Sequence, residues 1–298
     1  MKKLKKLTAV ILIAALALSL SACGSFGMRM FFAGQKMSRL KSWSMDTHVD
    51  LGMSFSVLGQ PLDLDTVIDG RADVTAEPPA ARLDLDVTAL GETTGIRSYY
   101  EQNGEVCTAY ATSNGGKTWS TETLALDDMP ARLPDREELK ELAALASVFE
   151  ERGKESIRGS EATVYAGTVS GEDAAKLLEA TGTLDSLLRG FGLDASKLPH
   201  DFSGSIPMTI ALDNKSGMIV RVTMDLTALM KELLPSLLDV LSDELAGRIG
   251  FSGLNLGLLG SGLDVTRCTV VEELYNFNAV STIEIPAEAR AALSGAAA

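Results

Sequence analysis

From Met45 onward, apolar and polar residues take turns along the chain. Thr47, Val49, Leu51, Met53, Phe55 and Val57 interleave with Asp46, His48, Asp50, Gly52, Ser54 and Ser56. A period of two sustained this long predicts a strand with one face on a core and one in water. After Leu58-Gly59-Gln60-Pro61 the pattern resumes, with Leu62, Leu64, Thr66, Ile68, Ala72 and Val74 set against Asp63, Asp65, Asp69, Arg71 and Asp73. Glu77-Pro78-Pro79 marks the next break, and Leu83, Leu85 and Val87 then alternate with Asp84, Asp86 and Thr88. Further strands are predicted over 94–101 and 105–113, the second closing on Asn114-Gly115-Gly116. Connections this short predict a meander of antiparallel neighbours. Val49, Leu51, Phe55, Leu64, Ile68, Leu83 and Leu85 are expected to face inward, with Asp50, Asp65 and Asp84 outward.

Helical periods follow. Pro134 with acids in the next turn predicts a helix running through Leu139, Leu142, Leu145 and Phe149. A strand over 162–169 leads to Ser170, an N-cap residue with Asp173 three positions on, and a helix is predicted from Glu172 to about Leu188. A hairpin is predicted from 206–212 and 218–226 around Asp213-Asn214-Lys215-Ser216-Gly217. A leucine-rich helical stretch then runs from Thr227 to about Ile249, interrupted by Pro235. The last strands are expected over 265–274 and 280–285. No second composition regime appears, so residues 45–290 read as one α+β domain, with 291–298 a disordered tail.

The first 44 residues differ in kind. Lys2, Lys3, Lys5 and Lys6 precede an apolar run from Leu7 to Leu20, shorter than a comfortable membrane span, and Leu20-Ser21-Ala22-Cys23 closes it. Residues 1–22 read as a signal peptide. The closing tetrapeptide looks like a bacterial lipobox, which would make Cys23 the acylated N-terminus of the mature protein. Residues 23–44 then form a tether and a basic helix. Phe26, Met28, Met30, Phe31, Phe32, Met37 and Leu40 are mixed with Arg29, Lys36, Arg39 and Lys41, and no acid occurs before Asp46. The first half of this helix is expected to touch anionic lipid and the second half, Gln35 to Ser42, to pack on the domain.

Charge agrees with a body held off the membrane. The whole chain carries a net −13, and losing the four leader lysines takes it to −17. Such a surface repels phosphate backbones, so nucleic-acid binding is excluded from the expected functions. An apolar fraction of 46% is enough for a sizeable core. The expected location is the extracytoplasmic face of the cell membrane, with a lipid anchor at Cys23.

The order of these pieces carries a resemblance. A helix ending in Lys41-Ser42-Trp43-Ser44-Met45 feeds a long first strand. A hairpin spans Tyr110 to Trp119, and Thr168-Val169-Ser170-Gly171 enters a helix. Ile206-Pro207-Met208 opens a late hairpin, and Ile283-Glu284-Ile285-Pro286 ends the last strand. Together these resemble the exported LolA/LppX-type lipoproteins of Gram-positive bacteria over nearly the whole mature chain. The resemblance implies a curved antiparallel sheet, or half-barrel, with helices across its concave face and an apolar cavity that in relatives holds acyl chains.

Catalytic motifs do not emerge. Gly116-Lys117-Thr118 has Ala111 where a phosphate loop needs its first glycine, and the context is a hairpin turn. Ser38-Arg39-Leu40-Lys41 lacks the partner motifs of a serine acyl-transfer enzyme. His48 and His200, the two histidines, read as surface residues. No enzyme activity and no cofactor or metal is expected. Asp46, Asp50, Asp63, Asp65, Asp69, Asp73, Asp84 and Asp86 share the polar side of three strands. They read as a solvated face that discourages edge pairing, with a hard-cation site as the alternative. Cys107 and Cys268 both fall on strands. A disulfide between them and two separate buried thiols are both open.

The leucine-rich stretch and the glycine-leucine loop after it, Gly250 to Gly260, must be buried in a core or face a lipid-like ligand. Leu229, Leu233, Leu237, Leu241 and Leu256 are the candidate ligand contacts. The leading expectation is an apolar or lipid-like ligand held between sheet and helices. The alternative is an envelope-anchored interaction or sensor protein with a filled core; its protein partner is not specified by the sequence.

Overall fold

A computed structural model describes residues 26–57, 60–125, 144–174, 203–236 and 263–295. Helix α1 (Phe26–Met37) precedes the strands β1 (Ser42–Val57), β2 (Gln60–Ala76), β3 (Pro79–Ala89), β4 (Glu92–Asn103), β5 (Val106–Thr112) and β6 (Ser120–Ala125). A 3-10 turn, Leu145–Val148, leads to β7 (Glu150–Ile157) and β8 (Ser160–Val169), and β9 (Ile206–Asp213) pairs with β10 (Ile219–Asp225). Residues 227–236 form a helix, α2, followed by β11 (Asp264–Tyr275) and α3 (Ala287–Gly295).

The eleven strands of the described residues join one sheet, in the order β6-β5-β4-β3-β2-β1-β11-β10-β9-β8-β7. Every pairing is antiparallel. Among the described residues β6 and β7 are edges, so the sheet is open rather than a closed barrel. The predicted meander is present from β1 to β6. The chain's last strand, however, inserts beside its first, with Val49 opposite Val270 and Leu51 opposite Cys268.

Alternation assigned the faces correctly. The pairings align Val49 with Ile68 and Val87, and Met45 with Ala72 and Leu83. The same inner face carries Trp43, Val74 and Ala81, all buried in the main core. Asp50, Asp65 and Asp84 lie on the outer face. At Gly52 the register with β11 shifts, and a Cβ there would stand 2.7 Å from Thr266 Oγ1. Only glycine allows that approach, and the shift brings Val265 inward, fully buried.

The core lies at one end of the inner face. Helix α1 turns Phe26, Met30, Ala33 and Met37 towards it, a stripe at helical spacing. The Phe26 ring centroid lies 4.8 Å from that of Phe149 and 4.6 Å from that of Tyr165. Arg29 Nη1 donates to the Tyr165 hydroxyl and closes the polar side of this contact. Leu229 and Leu233 of α2 enter the same cluster with Ile206, Met208, Ile210 and Leu212. The start of α2 is stitched to β11: Leu226 N donates to the Cys268 carbonyl, and Cys268 N to Thr227 Oγ1.

Several expectations need correction. The N-terminal helix ends at Met37, and β1 begins at Ser42, before the expected boundary. Phe149 ends a 3-10 turn rather than a helix, and the unforeseen β7 follows at once. Residues 280–285 make no strand, and Ile283 and Ile285 pack instead with Tyr99 and Tyr110 of the outer face. Residues 291–295 of the expected tail continue helix α3, whose Ala289, ahead of that tail, is wholly buried in the same cluster. Residues 134–143, 175–188 and 237–249 of the predicted helices lie outside the described residues, and α2 continues through Pro235 to residue 236.

Candidate functional site

Strand pairing builds the inner face as rows of side chains. One row runs Leu85, Gly70, Thr47, Glu272, Val222, Ile210 and Tyr165 across seven strands. The next runs Val87, Ile68, Val49, Val270, Met224 and Met208. Towards β8 and β9 these rows are sealed, with Ile210 and Tyr165 each 1% exposed. Towards β1, β2 and β3 they are not. Val49, Leu51, Met53, Leu64, Ile68, Leu85 and Val87 are all half-buried, neither closed into the core cluster nor fully in water. This apolar, incompletely covered part of the sheet is the candidate site.

Glu272 stands at the boundary between the two parts. Alternation through Cys268, Val270 and Leu274 was the signal that could have placed it inward. Among the described residues no hydrogen bond or ion pair reaches its carboxylate. Burial among apolar neighbours pushes its pKa above the ordinary glutamate range. Folding therefore favours the neutral acid more than the unfolded chain does. The stability this gives is complete below the unfolded-state pKa, about 4.3, and is lost as pH rises through the folded-state value. Glu272→Gln is expected to raise the unfolding midpoint at pH 7 and to change it little at pH 4. Equal shifts at both values would mean that the carboxylate is solvated.

The predicted ligand contacts divide. Leu229 (4% exposed) and Leu233 (0%) are packed in the core, between α2 and the strands. Leu237, Leu241 and Leu256 lie outside the described residues, as does Cys23. Cys107 and Cys268 are free and buried. They sit on β5 and β11 with four strands between them, about 24 Å at the usual spacing, so no disulfide joins them. Burial pushes the Cys268 thiol up to about 11.

The acidic outer face is an ion-paired ladder rather than a bare one. Arg267 holds Asp50 at 2.7 Å and Asp65 at 3.2 Å. Asp84 pairs with Arg82 and Arg97, at 2.7 and 2.6 Å, and Asp69 meets His48 Nδ1 at 2.7 Å. Arg158, at the β7–β8 turn, reaches Asp46 and Glu273 while lying 3.7 Å over the Tyr275 ring. An open groove of about 560 Å³ runs among these charges. Each of these carboxylates faces an arginine or histidine from its own or another strand, and among the described residues no His, Cys, Asp or Glu cluster is arranged to hold a metal.

No protein-family model matches the chain, and no curated protein sequence matches it. Among solved structures it is similar to the lipoprotein LppX of Mycobacterium tuberculosis, at 16% identity and a TM-score of 0.38, over 87% of this chain and 96% of that one. It is also similar to LprF of Mycobacterium bovis, at 13% identity and a TM-score of 0.41, over the same shares. A putative outer membrane lipoprotein-sorting protein domain from Vibrio parahaemolyticus matches at 8% identity and a TM-score of 0.18, over 65% of this chain and 76% of that one. The likeness is one of architecture across most of the chain, at low sequence identity.

Proposed function

We propose that this is a membrane-anchored lipoprotein that binds an apolar or lipid-like ligand between its sheet and its helices, without catalysis. One observation carries the reading. The inner face of β1, β2 and β3 is lined by Val49, Leu51, Leu64, Ile68, Leu85 and Val87, and none of these is fully buried. The continuous row Val87-Ile68-Val49, with Leu85 on one side of it and Leu51 and Leu64 on the other, is a costly surface to leave to water, and it suits an acyl chain. Glu272 borders this row, and its carboxyl group offers a hydrogen bond to a ligand's polar end. The anchor is Cys23, behind a complete basic-plus-apolar leader; among the described residues no helix is long and apolar enough to cross a membrane.

A second reading has its own support. Leu229 and Leu233 are core residues, which fits an interaction or sensor protein whose helices simply fill the interior. Native mass spectrometry of the mature body, before and after solvent extraction, separates the two. A bound mass that extraction removes, and that a fluorescent fatty-acyl probe replaces, is the expected result. A body that carries no lipid and takes up no probe would leave the filled-core reading.

A further inference from the structure

Helix α1 is divided by face and not, as its sequence suggested, by length. Phe26 and Met30 in its first half are as deeply buried as Met37 in its second. Met28, Phe31 and Phe32 point the other way and are 57%, 42% and 51% exposed. Their spacing sets them side by side on successive turns, with the two phenylalanine rings edge-on at 5.8 Å. The other exposed large apolar residues of the described chain, such as Leu62, Leu90 and Val106, lie on different elements. Here three share one helical face.

Position and charge choose the occupant. Cys23 lies three residues before Phe26, about 10 Å of extended chain, so an acylated Cys23 holds this face at the bilayer surface. The surroundings are cationic. Arg29, Lys36 and Arg39 belong to this segment, and Lys36 Nζ donates to the Ser216 carbonyl, which brings Lys215 of the β9–β10 turn alongside. A second copy of the chain would instead bring together two bodies of strongly negative net charge, which repel each other.

We propose that the Met28–Phe31–Phe32 face of α1 lies in the headgroup region of an anionic bilayer. The helix, and not the acyl chains alone, then fixes the orientation of the body. Because the opposite side of α1 packs on the inner face of the sheet, that inner face is turned towards the membrane. The proposal rests on the reading of Cys23 as the anchor.

The test is Phe31→Trp, with Phe32→Trp as a second variant, in the full mature protein placed in phosphatidylglycerol vesicles. Trp43 and Trp119 supply the wild-type baseline. The added emission is expected to shift to the blue, and brominated phosphatidylglycerol should quench it several-fold more strongly than the wild-type emission. Emission that stays red and unquenched in both variants overturns the proposal. A blue shift that needs no lipid and comes with a doubled solution mass also overturns it, assigning the face to a second copy. Acyl labelling, lost in Cys23→Ala, reports on the anchor separately. If the wild type carries no label, the anchor reading fails, and vesicles added to the protein still read the face.

Discussion

Leu233→Ala is expected to cost about 2–5 kcal/mol of folding stability and to leave binding of an acyl probe unchanged. Leu233 has no exposed surface and belongs to the core cluster that also holds Ile210, Leu212 and Leu229. Deleting it removes transfer free energy and leaves a void that packed neighbours close only in part. Urea unfolding and probe titration on the same preparation measure both quantities. If the midpoint scarcely moves while probe affinity collapses, Leu233 lines the ligand and the core boundary lies elsewhere.

Tyr110→Ala should be comparably severe, at about 3–5 kcal/mol, and should free the C-terminal helix. Tyr110 is 1% exposed on the outer face, in a cluster with Tyr99, Ile285 and Ala289. Its hydroxyl donates to Glu101 Oε1 at 2.8 Å, and Arg290 of α3 holds Glu101 Oε2 at 2.6 Å. Burial, with the carboxylate beside it, pushes the phenol up to about 12, so it remains a donor across the physiological range. Tyr110→Phe keeps the ring and should cost only about 1 kcal/mol. Thermal unfolding with limited proteolysis near residue 290 would show both effects. If Tyr110→Ala melts like the wild type and its C-terminus stays protected, the outer cluster contributes little.

Legibility in the sequence followed burial. Strands β1 to β3 were readable because one side of each is mainly apolar and the other charged, while β4 and β5, with no such contrast, were marked out by the short turns that bound them. Strand β7, Glu-Glu-Arg-Gly-Lys-Glu-Ser-Ile, was not, since as an edge only its last residue is buried and no alternation develops. Strand β6 failed for the same reason. Residues 280–285 erred in the other direction. Ile283 and Ile285 alternate because every second side chain enters the outer cluster, and alternation reports burial rather than backbone pairing. The site was legible as composition only. Leucine density showed that α2 must be buried, but not that Leu229 and Leu233 join the core cluster rather than a ligand. The half-covered rows depend on which strands meet, and the β1–β11 pairing joins residues too distant for local pattern to reveal.

That pairing also governs the order in which the molecule can be completed. Arg267 and Asp50, which bond across it, are 217 positions apart in the chain. A polypeptide made from its N-terminus can assemble β1 to β6 by successive hairpins, and β7 to β10 from nearer neighbours. Until β11 arrives, β1 and β10 each offer an unpaired edge to any other strand. One late segment therefore acts as a keystone, and a chain cut short before Asp264 would hold two unfinished sheets, each open to association with its own kind.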